Sequence, residues 1–275
     1  MTMPDAGMRT PAAKSDRADR TDALPSLVVA LDLPDADQAL RLAGSLKPFP
    51  LWVKVGLELF TAEGPVLVRR LLDESFMLFL DLKFHDIPNT VQRATCRVTA
   101  LGAHMTTVHL CGGEAMCRAA VEGRRRGRAL RPETAYPGKL PPDTTPLLMG
   151  ITVLTSEAGR ESDIRDTVIE RALTAKTWGL DGVVCSGREA SAVKAACGKD
   201  FFCLCPGIRF PDAAPRDDQA RVCSPYQAAL AGADFLVMGR PVLDARRPAA
   251  AVRAALDGIE RASRERQHSS QATFL

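Results

Sequence analysis

The sequence predicts a single α/β domain, a (β/α)8 barrel, and three observations carry that prediction. Strand-like apolar runs alternate with helix-like stretches at a repeat of roughly thirty residues, the pattern of successive β/α units. Eight such units fit within the 275 residues, close to the ~250 typical of the barrel. The residues able to do chemistry gather at the C-terminal ends of the strand-like runs, where such a barrel carries its active site.

The elements follow in order. Leu27–Asp32 is an apolar run ending on a carboxylate and is followed by a helix over Asp35–Leu46. Leu51–Gly56 is the second strand, with its helix opening at Pro65 and running to Glu74. The third strand, Phe76–Lys83, begins with Phe76-Met77-Leu78-Phe79-Leu80, apolar enough to be buried on both faces. Pro88 then opens a helix to Leu101, proline being suited to a first helical turn. His104–His109 and Gly113–Arg124 form the fourth unit, and Leu147–Leu154 with Ile164–Trp178 the fifth. Gly182–Cys185 with Arg188–Ala196, Phe201–Cys205 with Pro225–Ala231, and Phe235–Met238 with Pro248–Ser263 complete the eight. The barrel is therefore expected over residues 26–263, with unstructured extensions over 1–25 and 264–275 and a Pro- and Arg-rich insertion around 124–146.

Composition excludes several function classes. At 46% hydrophobic and 25% charged residues, with no apolar run of bilayer length, the chain reads as a soluble enzyme domain and not a membrane protein. The N-terminal segment has no apolar core of a secretory signal. Eight cysteines without a C-x-x-C pair read as reduced, mostly buried thiols of a cytoplasmic protein. Four histidines form no visible metal-binding cluster. The net charge of +3 invites a nucleic-acid reading, but the excess lies in the insertion, where Arg124, Arg125, Arg126, Arg128, Arg131 and Lys139 face only Glu133 and Asp143. A solvated surface excursion is the simpler account, and no nucleic-acid partner is expected.

The most informative stretch is Asp81-Leu82-Lys83-Phe84-His85-Asp86-Ile87-Pro88-Asn89-Thr90. Strand alternation puts Asp81 and Lys83 on one face, and Asp86 follows where the chain is free to turn toward the site or toward a partner subunit. By itself, D-x-K-x-x-D fits an ion-pair network capping a strand as well as a reactive site.

The longer string DLKFHDIPNTV resembles the signature of the orotidine 5'-phosphate decarboxylase family. Further matches follow in order: Ala30-Leu31-Asp32, Lys54 within Trp52-Val53-Lys54-Val55-Gly56, Leu154-Thr155-Ser156, Pro206-Gly207-Ile208-Arg209-Phe210 and Gly239-Arg240. The resemblance spans roughly Ser26 to Leu256 and implies a decarboxylase that makes UMP without metal or cofactor. It implies an alternating array of Lys54, Asp81, Lys83 and Asp86, with Asp86 contributed across a homodimer interface. It assigns the substrate to Asp32, Lys54, Ile87, Thr90, Thr155, Arg209, Gln219, Gly239 and Arg240. Among these, Asp32 would bind ribose hydroxyls and Thr155 the base or phosphate side. Gln219 would bridge phosphate and pyrimidine, while Arg209, Gly239 and Arg240 would hold the phosphate. Lys83 would stabilise and protonate a carbanion at C6, and Asp81 would oppose the substrate carboxylate. A magnesium-dependent sugar-phosphate decarboxylase or aldolase of the same barrel group shares D-x-K-x-x-D and is the alternative. A non-catalytic phosphate-binding barrel is a third reading, disfavoured by the intact Asp81, Lys83 and Asp86.

Overall fold

The computed structural model describes residues 24–130, 146–154, 160–211 and 222–272. The first half of the chain forms β1 (Ser26–Ala30), α1 (Ala36–Leu46), β2 (Leu51–Val55), α2 (Leu57–Asp73), β3 (Met77–Phe84), α3 (Pro88–Leu101), β4 (Met105–His109) and α4 (Gly113–Ala129). The second half forms β5 (Leu147–Ile151), α5 (Glu161–Thr177), β6 (Gly182–Val184), α6 (Ala190–Cys197), β7 (Phe202–Cys205), α7 (Pro225–Leu230), β8 (Phe235–Met238), α8 (Arg240–Leu243) and α9 (Pro248–Ala272). The strands pair in parallel and in chain order, and β1 closes on β8 through the register Ser26↔Phe235 to Val29↔Met238. This is the closed (β/α)8 barrel that the alternation predicts.

Strand alternation divides the apolar residues into two layers. Val28, Phe79, Met105, Met149, Leu204 and Phe235 point inward and fill the barrel. Leu27, Val29, Val53, Leu78 and Leu80 point outward, against Leu67, Leu71 and Val91 on the surrounding helices. Each such side chain, fully removed from water, contributes about 1.5–3 kcal/mol before chain entropy is counted. At the N-terminal end Trp52 and Phe202 meet Phe235 edge to face, with ring centroids 5.2 and 5.7 Å apart. These rings pack across the N-terminal end of the barrel, while the C-terminal ends of the strands open on a cavity.

Local signals fix several helix ends. Asp35 caps α1 by accepting a hydrogen bond from the Gln38 amide at 2.8 Å. Ser224 and Gln227 form a reciprocal capping box on α7. Gly102, in the left-handed region at φ 102°, ends α3.

Several boundaries depart from the sequence reading. The second helix starts at Leu57, ahead of Pro65, because a helical piece precedes Gly64, whose non-helical φ 61° and ψ −156° mark the kink. The fourth runs on to Ala129, so Arg124, Arg125 and Arg126 belong to a helix and not to an insertion. Glu122 accepts hydrogen bonds from Arg125 and Arg126, and Arg124 pairs with Asp181. The fifth strand ends at Ile151. The last helix continues to Ala272, which overturns the expected unstructured tail from residue 264 through that point. Its added turns are held by Tyr226, which donates to Glu265 at 2.5 Å, and by Arg266, which donates to the Ala229 carbonyl at 3.3 Å. The 1–23 part of the N-terminal extension and residues 131–145 of the insertion lie outside the described residues. No described helix is long and apolar enough to cross a membrane.

Candidate active site

The first three strands deliver four charged side chains to one place. Asp32 follows β1, Lys54 sits near the end of β2, and Asp81 and Lys83 occupy the last half of β3. Simple alternation would suffice to put the last two on one face, but β3 does more than alternate. Its register with β4 passes from Leu80↔Thr106 directly to Phe84↔Val108, so β3 bulges across Asp81, Leu82 and Lys83. Lys83 takes a left-handed conformation within that bulge, at φ 51°. For a lysine this costs about 1–2 kcal/mol, which the surroundings must offset.

The four charges form a chain. Lys54 donates to Asp32 at 2.8 Å and lies 3.8 Å from Asp81, while Lys83 donates to the same Asp81 oxygen at 2.6 Å. The other Asp81 oxygen accepts from the Thr107 hydroxyl at 2.8 Å. Burial distinguishes the members: the Lys54 and Asp81 side chains are 10% and 11% exposed, Lys83 36% and Asp32 52%. Two charges are thus set in the wall, and Lys83 is the ammonium of this chain that reaches furthest into open space.

That space is a cavity of about 590 Å³ at the C-terminal mouth of the barrel. Asp32, Lys54, Asp81, Lys83, Arg209, Gly239 and Arg240 all line it. The opposite wall is apolar, made by Ile151 at the end of β5, Val153 just after it, Val184 of β6 and Leu204 of β7. A molecule with an apolar ring face, several hydroxyls and an anionic end matches such a lining. Arg209 and Arg240 supply positive charge at one side, next to a backbone without a side chain at Gly239, where a Cβ would lie 3.6 Å from Asp32. Gly207, at φ 75°, turns the chain after β7. Arg209 then donates its amide to the Cys223 carbonyl at 2.9 Å, and Cys223 donates to Gly207 at 3.2 Å, so the two ends of the segment spanning 212–221 are clamped together.

The remaining expected residues fall elsewhere. Asp86, Ile87 and Thr90 do not line the cavity but lie exposed, in the run His85–Thr90 that leads from β3 into α3. Ile87 is 66% exposed, and Asp86 accepts a hydrogen bond from the Ile87 amide at 2.6 Å. Thr155 and Gln219 lie outside the described residues. The sequence reading missed Thr107 and the apolar wall, because no local pattern marks which strand residues face a cavity assembled from eight segments. The thiols are distributed as expected: six of the eight are buried, Cys96 is partly covered and Cys111 is exposed. Burial, reinforced by neighbouring Cys111, pushes the Cys117 thiol up to about 12.

Comparison with known proteins agrees with this geometry. The family model described as "Orotidine 5'-phosphate decarboxylase / HUMPS family" matches residues 25–255. A protein named orotidine 5'-phosphate decarboxylase from Nitratidesulfovibrio vulgaris (strain Hildenborough) is 50% identical over 236 residues, covering 84% of this chain and 96% of the relative. One of the same name from Maridesulfovibrio salexigens is 46% identical over 238 residues, with the same coverage of 84% and 96%. Among solved structures, orotidine 5'-phosphate decarboxylase from Lactobacillus acidophilus superposes with a TM-score of 0.71 at 33% identity, covering 86% of this chain and 99% of that one. With the match extending over the whole barrel, the chain belongs to the orotidine 5'-phosphate decarboxylase / HUMPS family.

Proposed function

We propose that this chain decarboxylates orotidine 5'-phosphate to UMP, the last step of pyrimidine nucleotide assembly, with Lys83 as the group that meets the reacting carbon. The observation that carries the reading is the Lys83 ammonium, held by Asp81 at 2.6 Å yet open to the cavity. Loss of CO2 from C6 leaves an electron pair in the plane of the pyrimidine, where the ring cannot delocalise it. A fixed positive charge must stand where that pair develops. The Lys83 ammonium stabilises the carbanion and then delivers a proton to C6, so one group does electrostatic and general-acid work. Asp81 faces the departing carboxylate, and the repulsion between them is relieved as CO2 leaves.

Magnitudes show why one lysine is insufficient. A charge pair at about 4 Å is worth roughly 4 kcal/mol at an effective dielectric of 20, whereas the larger enzymatic barrier reductions reach about 20 kcal/mol. Remote binding energy makes up part of the difference by organising the site. Arg209, Arg240 and the backbone at Gly239 hold the phosphate, and Asp32 with Lys54 holds ribose hydroxyls. Thr155 and Gln219 complete the contacts to base and phosphate. Asp86 completes the site of a second copy in a homodimer, and Ile87 and Thr90 contact the substrate. Their exposure, with the apolar Ile87 side chain open to solvent, supports a subunit contact there. A reduced, cytoplasmic setting fits the free thiols.

The test is the loss of orotidine 5'-phosphate absorbance by purified protein, with and without EDTA. Turnover that survives the chelator and disappears in Lys83→Ala is expected. Turnover of a sugar phosphate that requires added magnesium would favour the alternative reading.

A further inference from the structure

We propose that Thr107 is a positioning residue for the decarboxylation, setting Asp81 and Lys83 together through one hydroxyl. The inference rests on the reading that these two residues act on the substrate. Thr107, on β4, is 1% exposed and has no outlet to water. Its hydroxyl accepts the Lys83 amide at 3.0 Å and donates to Asp81 at 2.8 Å.

The direction of these bonds is fixed by chemistry. A backbone N–H can only donate, so the hydroxyl must spend a lone pair on Lys83 and has its proton left for the Asp81 carboxylate. Oδ1 of Asp81 is thereby taken, and Oδ2 is left to the two lysines, with Lys83 at 2.6 Å and Lys54 at 3.8 Å. Thr107 thus determines which carboxylate oxygen faces the ammonium groups.

The amide bond matters for a second reason. Across the bulge, where the ladder passes from Leu80↔Thr106 to Phe84↔Val108, Lys83 has no register partner on β4. The threonine hydroxyl takes the place of a ladder carbonyl. It secures the backbone of a residue held at φ 51°, and that conformation aims the Lys83 side chain at the cavity. A hydroxyl at this site is therefore a hinge pin between the strained backbone and the carboxylate, and a shape-matched apolar residue cannot replace it.

The experiment compares Thr107→Val, which keeps the branched shape and deletes the hydroxyl, with Thr107→Ser, which keeps the hydroxyl. Thr107→Val should lose about ten- to a hundredfold in kcat, the range expected for a hydrogen bond to a charged group. Its KM, and its affinity for UMP, which lacks the C6 carboxylate, should stay within about threefold of wild type, because the phosphate and ribose contacts are untouched. Thr107→Ser should recover kcat to within about threefold. Thr107→Val with unimpaired kcat overturns the proposal. So does Thr107→Ser falling as far as Thr107→Val, since bulk and not the hydroxyl would then be at issue. An equal loss of UMP affinity and kcat also overturns it, as the sign of general damage. If Thr107→Val does not fold, Thr107→Ala deletes the same hydroxyl and is judged by the same criteria. Lys83→Ala separates the two levels: turnover surviving there removes the catalytic reading itself, whereas turnover surviving only in Thr107→Val removes this inference alone.

Discussion

Gly56 offers a sharp test of the charged array, because it lies outside the reacting residues yet sets the clearance around two of them. It precedes α2 with φ −95°, a conformation alanine adopts without strain. Any effect of Gly56→Ala must therefore come from contact. The added Cβ would stand 3.0 Å from the Lys54 ammonium and 3.2 Å from the Asp32 carboxylate, so both must give by a few tenths of an ångström. If the pair opens from its 2.8 Å separation to about 3.7 Å, its Coulomb energy at an effective dielectric of 20 falls from about 6 to about 4.5 kcal/mol. Asp32 is half exposed, and solvent screening reduces that difference to about 0.7 kcal/mol, or roughly threefold. The loss should appear in KM, since these two residues are assigned to the ribose, with kcat changed less and thermal stability held. Steady-state kinetics on orotidine 5'-phosphate, with a melting curve for each protein, measures all three. An unchanged KM in a folded Gly56→Ala protein would refute the argument that the Lys54–Asp32 spacing matters to substrate binding. A fall confined to kcat would move Lys54 from the ribose to the reacting carbon.

Three other outcomes are expected. Asp86→Ala and Lys83→Ala proteins, each inactive alone, should regain partial turnover when mixed under subunit exchange, since a mixed dimer assembles one site with both residues; no recovery despite demonstrated exchange would place Asp86 in its own chain's site. Arg240→Ala should lower kcat/KM for orotidine 5'-phosphate by roughly ten- to 150-fold while scarcely affecting the poorer turnover of orotidine; equal losses on both would withdraw the phosphate assignment. Of the eight thiols, Cys111 should react rapidly with a chromogenic disulfide reagent and Cys96 more slowly, with the other six reacting only on unfolding. The thiolate is the nucleophile, and Cys117, pushed up to about 12 by burial, forms almost none near neutral pH, so rapid reaction of three or more thiols in the native protein would contradict the packing described.

The parts of this architecture visible in the sequence are those set by local chemistry. The apolar run before Asp81 specifies a buried strand, Pro88 a helix start, and Ser224 with Gln227 a cap. Each signal lies within a few residues of its effect. The string from Asp81 to Thr90 is the most telling because it concentrates several candidate residues on one strand and the turn after it, and two of them, Asp81 and Lys83, line the cavity. The missed features all depend on distant partners. Helical residues 57–63 precede a Gly64-Pro65 pair that reads as a break, and only packing on the barrel decides that the chain coils before it. The end of α9 is polar and lacks an apolar face, yet Tyr226 and Ala229 anchor it from far along the chain. Thr107 resembles its neighbour Thr106 in every local respect. The bulge in the adjacent strand is what gives one of them a carboxylate and an amide to bind, while the Thr106 hydroxyl is buried without a partner.

Because barrel order equals chain order, the two halves of the cavity have separate origins along the polypeptide. Asp32, Lys54, Asp81, Lys83 and Thr107 all come from the first four strand units, whereas Ile151, Val153, Val184 and Leu204 come from the next three. A sequence change that widens the apolar wall to admit a bulkier ring substituent touches none of the bonds that orient the lysines. The charged quadrant can thus stay constant while the apolar wall varies, and a laboratory library confined to Ile151, Val153, Val184 and Leu204 reshapes the cavity without touching the hydrogen bonds among Asp32, Lys54, Asp81, Lys83 and Thr107.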